Sequence, residues 1–278
     1  MIPAMKKIYL STYGVAFSDY ALMKKFVTEF PDFGLGIEYA TSWKNPDFHE
    51  KLQAAVTDLV GIPATIHSPF MEICTDPGSE AEARMTAAFD KACDYYDAFR
   101  ATSMVFHTHE GVFAESEKAD RRKRTRDVLL HWYDKLTKRG IRMTVENVGY
   151  PKKGNVLFDY ENFVRLFEEL PEGIGCLIDT GHAFLNAWDV PALIEEMGER
   201  IRGYHLNNND GWGDLHYPCF DPEGVCKAPE MDRLLRAIAK YSPKADLCLE
   251  YAPSGRFTQE SLYEDIRRIV RVTEEAGA

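Results

Sequence analysis

The chain has 278 residues, of which 45% are hydrophobic and 28% charged, the composition of an ordinary water-soluble globular protein. Thirty-three Lys and Arg stand against 44 Asp and Glu, and the formal net charge of −11 excludes a generally basic nucleic-acid-binding surface, though not a local basic cleft. No apolar run reaches membrane-spanning length, Met1–Leu10 lacks the pattern of a cleaved leader, and the six cysteines form no CxxC pair, so a reduced, cytoplasmic protein is expected.

Strand-like and helix-like segments alternate from one end to the other. Lys7–Ser11 reads as a first strand, followed by a helix over Asp19–Phe30 that stops before Pro31. Gly36–Tyr39 is a second strand, with a helix over Pro46–Val60. Ala64–His67 is a third, and after a loop carrying Asp76-Pro77-Gly78 a long helix runs over Ser79–Phe99. Met104–His107 is the fourth strand, with a helix over Lys118–Lys138. That helix opens on Arg121, Arg122, Lys123, Arg124 and Arg126, a run read as a solvated helix start rather than a nucleic-acid contact. Arg142–Val145 is the fifth strand, with a helix at Asp159–Leu170; Gly175–Ile178 is the sixth, with a helix at Val190–Met197. Ile201–Tyr204 is the seventh, followed by a loop rich in Asn, Asp, Gly and Pro and a helix over Glu230–Tyr241. Leu247–Leu249 is the eighth, and Gln259–Glu275 is the closing helix. Eight strand–helix pairs with no compositional break predict one (β/α)8 TIM barrel spanning residues 1–278 as a single domain, with its working site at the C-terminal end of the strands.

The strand ends carry the chemistry. Six apolar runs terminate on a group able to hold a divalent cation: His67, His107, Glu146, Asp179, His205 and Glu250. An unpaired charge at the end of a buried strand is costly, so several converging on one barrel mouth point to a metal site. Glu146, Asp179, His205 and Glu250 supply three carboxylates and one imidazole, a set suited to Mn, Mg, Co or Zn. Glu146 and Glu250 lie three strands apart and face each other across the mouth. One carboxylate could remove the proton beside a sugar carbonyl and the other return it, giving isomerisation or epimerisation through an ene-diolate.

His67 and His107 could complete a second site bridged by Glu146, and His182, Asp214 and His216 a third. The alternative is that these five hydrogen-bond substrate hydroxyls around one metal. His109 could take the place of His107, while His49 and His131 are expected on the helical surface. Aromatic residues near the mouth are Tyr13, Phe17, Tyr39, Trp43 and Phe70; Tyr13 and Trp43 are candidates to stack on a sugar.

At these residues the chain resembles the xylose-isomerase-like barrel superfamily, which holds sugar and sugar-phosphate isomerases and epimerases together with endonuclease IV. The stretches that carry the resemblance are Ile66-His67-Ser68-Pro69-Phe70, Val105-Phe106-His107, Val145-Glu146-Asn147, Ile178-Asp179-Thr180-Gly181-His182-Ala183, His205-Leu206-Asn207-Asn208-Asn209-Asp210-Gly211 with Asp214 and His216, and Leu249-Glu250. In the epimerase branch, the positions of Glu146, Asp179, His205 and Glu250 bind one divalent metal, and the two glutamates are the acid–base pair. In the endonuclease branch, the fuller set with His67, His107, His182, Asp214 and His216 resembles a three-zinc site that cleaves DNA beside an abasic residue. The loop after His205 follows the sugar branch, where endonuclease IV has a serine–lysine, and the Gly-x-Gly turn common to both branches is loosened at Tyr217–Gly224. The resemblance therefore implies a metal-dependent enzyme of a small sugar or sugar phosphate, with abasic DNA as the alternative substrate, no membrane partner, and homo-oligomers as in other barrels of this kind. A barrel that binds without turnover would have no use for two opposed glutamates.

Overall fold

The structure is a computed structural model that describes residues 7–30, 32–41 and 46–277; the predicted stacking residue Trp43 lies outside them. Eight parallel strands close into a barrel in sequence order: β1 Ile8–Ser11, β2 Leu35–Ala40, β3 Ala64–His67, β4 Met104–His107, β5 Met143–Glu146, β6 Gly175–Asp179, β7 Ile201–Leu206 and β8 Asp246–Leu249, with β8 pairing back onto β1. Helices α1 Tyr20–Thr28, α2 Pro46–Leu59, α3 Glu80–Phe99, α4 Lys118–Lys138, α5 Tyr160–Glu169, α6 Thr180–Leu185, α7 Val190–Met197, α8 Ala228–Tyr241 and α9 Gln259–Gly277 follow the strands. The (β/α)8 barrel predicted from the alternation is the fold observed. None of the described helices is long and apolar enough to cross a membrane.

Alternation along each strand places the site. Ile66, Phe106, Val145, Ile178 and Tyr204 are fully buried, and each is followed by a residue that the pleat must aim to the opposite face, into the barrel mouth: His67, His107, Glu146, Asp179 and His205. The helix-facing members build the outer core. Phe106 meets Phe89 of α3 edge-on at 5.0 Å and Trp132 of α4 at 6.1 Å, and Tyr39 stacks on Phe99 at 3.9 Å. Tyr39 therefore belongs to the packing between barrel and helices, not to the mouth as the sequence suggested.

Helix starts follow their side-chain caps. Asp19, Ser79, Asp159 and Asp189 each accept from a backbone N–H three residues on, at 2.9–3.2 Å. The arginine run on α4 is not a merely solvated helix start. Arg121 donates to the Cys74 carbonyl, Arg122 to that of Leu157 and Arg124 to that of Thr75, while Arg126 meets Glu169 at 2.5 Å. These side chains tie α4 to the loops beyond β3 and β5 and to the end of α5. All six cysteines are buried and free.

Asp246, at the opposite end of the barrel, is largely buried, and burial raises its carboxyl to about 6 against the opposing pull of Lys7 and Arg142. A raised acid costs nothing while protonated, so the penalty is absent below about pH 4 and complete above pH 6. Asp246→Asn is accordingly expected to stabilise the protein at pH 7 by roughly 2 kcal/mol and to be neutral near pH 4. Denaturant unfolding at the two pH values checks this, and an equal effect at both would refute it.

Candidate metal centre

The strand-end residues converge as the sequence implied. Glu146, Asp179, His205 and Glu250 bring one donor atom each to within 4.8 Å of one another, all four fully buried. His67, His107 and Glu146 form an adjoining group, and His182, Asp214 and His216 another. Glu146 is common to the first two and lies 3.6 Å from His182 of the third, so the nine side chains form one continuous centre.

The Asp-Thr-Gly-His segment shows why sequence and geometry coincide. The Asp179 carboxylate caps α6 by accepting the His182 N–H at 2.7 Å, which brings the His182 ring beside it. Thr180 Oγ1 donates to the Asn207 carbonyl at 2.7 Å, and Asn207 Nδ2 donates to Asp179 Oδ2 at the same distance. Gly181 is obligatory, because a Cβ there would lie 1.9 Å from Asn207 Oδ1. Asn147 pins the Asp179 backbone from the other side, at 2.8 and 3.0 Å. The loop that departs from a Gly-x-Gly turn is held by Asn208, whose amide donates to the Cys219 and Cys226 carbonyls at 3.2 and 2.7 Å. Gly224 packs so close to it that a Cβ would lie 2.2 Å from Asn208 Nδ2. His216 leaves this loop with a positive φ of 45°, a conformation that non-glycine residues usually adopt only where surroundings enforce it.

Each imidazole is oriented by its second nitrogen or by a neighbouring carboxylate. His67 Nδ1 contacts the Ser68 carbonyl at 2.7 Å, and its Nε2 lies 3.1 Å from Glu146 Oε2. His107 Nδ1 contacts Glu110, and its Nε2 faces His67 and Glu146. His216 Nδ1 contacts the Glu250 carbonyl at 2.9 Å, and its Nε2 lies 3.1 Å from Asp214. His205 Nδ1 lies 3.2 Å from both Glu146 and Glu250, and Nε2 lies 3.0 Å from Glu38.

Electrostatics follow from this density of charge. Burial would push the histidines down, but the carboxylates win: Glu146 and Glu110 raise His107 to about 9, and Asp214 chiefly raises His216 to about 10. His182 and His205 are likewise driven well above the ordinary range. Against burial, His205 and His216 hold Glu250 at about 2, and His205 and His107 hold Glu146 far below a normal carboxylate. At Asp179 burial prevails over His182 and His216, and its carboxyl is raised.

The donor set fits divalent cations. On the side of the centre, His205 Nδ1, His182 Nδ1 and Asp214 Oδ1 are buried at contact distance from ionic neighbours but off the line of any hydrogen bond. Nitrogens and carboxylate oxygens aimed at a common point, without hydrogen bonds between them, are what a cation would satisfy.

Above the centre lies a cavity of about 110 Å³, bounded by Glu146, Glu250, His182, His216, Tyr150 and Lys153 among others. Of the aromatic residues expected at the mouth, Phe70 lines it. Tyr13 meets His216 edge-on at 5.2 Å and stacks on Phe17 at 5.2 Å, and Phe70 packs on His67 at 4.5 Å. His109 does not substitute for His107: its Nε2 contacts the Asn155 carbonyl away from the centre, and burial lowers its pKa to about 4. His131 is exposed, as expected, whereas His49 is half-buried against the Tyr95 hydroxyl at 2.8 Å.

Two carboxylates of this site escaped the sequence reading. Glu110 follows its strand by three residues, outside the strand-end pattern. Glu38 stands inside β2, where a single charge in an otherwise apolar strand was the available signal.

A search of curated proteins finds no similar sequence. Among solved structures, a D-tagatose 3-epimerase-like protein superposes with a TM-score of 0.73 at 16% identity, covering 99% of this chain and 100% of that one. An IolI protein with a bound zinc atom gives 0.72 at 14%, covering 98% of each chain. Endonuclease IV from Thermus thermophilus gives 0.60 at 18%, covering 98% and 100%. These likenesses establish a shared fold. The family profile of the xylose isomerase-like TIM barrel matches residues 29–272, nearly the whole of the closed barrel with its strand-end donors, and the chain belongs to that family.

Proposed function

We propose that the protein is a divalent-metal-dependent isomerase or epimerase of a small sugar or sugar phosphate. The observation that carries this reading is the joint position of Glu146 and Glu250. Both carboxylates lie 3.2 Å from one imidazole nitrogen of His205, and both open onto the same cavity of about 110 Å³. That space suits a few-carbon polyol. Among the described residues its lining contains one lysine, Lys153, and no arginine, whereas DNA recognition draws on many backbone-contacting Lys and Arg side chains.

Glu146, Asp179, His205 and Glu250 would hold the principal cation, which supplies Lewis-acid polarisation of substrate oxygens when bound. The remaining chemistry belongs to side chains. Glu146 and Glu250 are both held ionised, so either can accept the proton beside the carbonyl. Return of that proton by the same carboxylate to the neighbouring carbon, as a proton passes from one substrate oxygen to the other, gives isomerisation. In epimerisation the first carboxylate keeps the proton it removed, and the opposite one, having taken up a proton from solvent, delivers it to the other face of the same carbon. His182 and His216 border the cavity and have polar nitrogens for substrate hydroxyls, Phe70 supplies apolar wall, and Tyr13 packs edge-on against His216.

A second reading is favoured by one observation: nine donors fall into three linked groups, two sharing Glu146 and the third lying 3.6 Å from it at His182, the arrangement expected of a trinuclear zinc hydrolase. Two measurements separate the readings. Protein purified without chelator should hold about one equivalent of a divalent metal and catalyse deuterium incorporation beside the carbonyl of at least one ketose in D2O. About three equivalents of zinc, no incorporation across the sugar panel and cleavage of abasic DNA would establish the hydrolase instead.

A further inference from the structure

The interior of a (β/α)8 barrel is ordinarily filled by branched apolar side chains, so a carboxylate there needs a reason. Glu38 is 2% exposed, between Ile37 and Tyr39, which are both fully buried. Three groups reach it. Thr65, its register partner on β3, donates its hydroxyl to Oε2 at 3.2 Å. The Cys248 thiol on β8 donates to Oε1 at 3.4 Å, and His205 Nε2 on β7 lies 3.0 Å from Oε1. A hydroxyl and a thiol alone are weak compensation for a buried carboxyl group, and the imidazole edge is in 3.0 Å contact with it, though off the line of a hydrogen bond.

The other side of that imidazole faces the centre, where Nδ1 lies 3.2 Å from Glu146 and from Glu250. His205 is thus clamped between a carboxylate below and two carboxylates above. A cation at Nδ1 takes the place of the proton there and leaves the remaining ring proton on Nε2, the edge that faces Glu38 at 3.0 Å. A ligating histidine whose second nitrogen is fixed by a carboxylate is both oriented and made more basic.

We propose that Glu38 is a positioning residue of the metal centre: it fixes the His205 tautomer and ring so that Nδ1 is offered to a cation held with Glu146, Asp179 and Glu250. This rests on the metal-binding part of the proposed function and is independent of the substrate. The polar interior of the barrel follows from it, since Thr65 and Cys248 replace apolar side chains where they must hydrate this carboxylate in place of water.

The test is zinc affinity by chelator competition for the wild type, Glu38→Gln and Glu38→Leu, together with the cobalt(II) absorption spectrum and the metal-free melting temperature. Glu38→Leu should weaken binding by about 10- to 100-fold and alter the cobalt spectrum, with the metal-free melting temperature retained. Glu38→Gln, which can still accept through its amide oxygen, should lose less, and it carries the test if the leucine variant does not fold. Unchanged affinity in both variants, with only a lowered melting temperature, would make Glu38 a purely structural residue. Loss of one whole equivalent in Glu38→Gln, the remaining metal being bound as tightly as before, would make it a direct ligand. Both outcomes overturn the proposal. A wild type that takes up no metal would instead bring down the metal reading itself.

Discussion

Glu250→Gln, and equally Glu146→Gln, should lower kcat by about 10²- to 10⁴-fold, the usual contribution of a positioned proton-transfer group, while the protein remains folded. Glutamine keeps an oxygen able to ligate but cannot accept a proton, so the substitution separates base from scaffold. Both glutamates are almost fully buried at strand ends, and histidines hold both ionised, which readies them to accept. Each also balances protonated imidazoles, but neither does so alone: His205 keeps Glu38 and the other glutamate, and His216 keeps Asp214. The loss should therefore fall on turnover rather than on folding. Circular dichroism and metal content report the scaffold, and isotope exchange with the true substrate reports the base. A folded, metal-loaded Glu250→Gln protein exchanging at near the wild-type rate would remove the acid–base pair from the mechanism.

The centre was legible in the sequence because strand periodicity and donor chemistry coincide at the barrel mouth. Alternation that buries Ile66, Phe106, Val145 and Ile178 under the helices forces the next residue into the mouth, so a donor following an apolar run marks the site directly. Tyr39 was misplaced by the same reasoning applied without the pleat's phase, for it faces Phe99. Glu38 was passed over for the converse reason. It occupies the inward phase one residue earlier in β2, and its partners come from β3, β7 and β8, a neighbourhood that closes only when the barrel does. Helix α6 was not foreseen, because a helix of six residues has too few turns to show a period, and the Asp179 cap that starts it was read only as a ligand. The arginines of α4 reach carbonyls on loops 35 to 49 residues away, partners that local charge patterning does not reveal.

Metal loading should raise the melting temperature by on the order of 10 °C at saturating zinc, and the rise should be larger at pH 9 than at pH 6. The size follows from linkage: a ligand at 100 to 1,000 times its Kd contributes about 3–4 kcal/mol, and each kcal/mol moves a domain of this size by roughly 2–4 °C. The pH dependence follows from the imidazoles. In the metal-free protein His107 is raised to about 9 and His216 to about 10 by the carboxylates beside them, with His182 and His205 raised as well. A histidine whose folded pKa exceeds its unfolded value stabilises the fold fully below about pH 6.5 and ceases to do so as pH climbs through 9 and 10. Metal-free protein should accordingly weaken over that interval. Ligation requires neutral imidazole, so cations compete with these protons, and uptake at pH 7 should release on the order of one proton for each raised histidine they engage. Affinity must then rise with pH just where the metal-free fold declines, and the two trends widen the gap between chelated and loaded protein. Calorimetric scans with chelator and with zinc at pH 6 and pH 9, together with proton release on titration in weak buffer, measure both effects. A shift that is equal at the two pH values, with no proton released, would mean that the cations bind elsewhere than among these histidines.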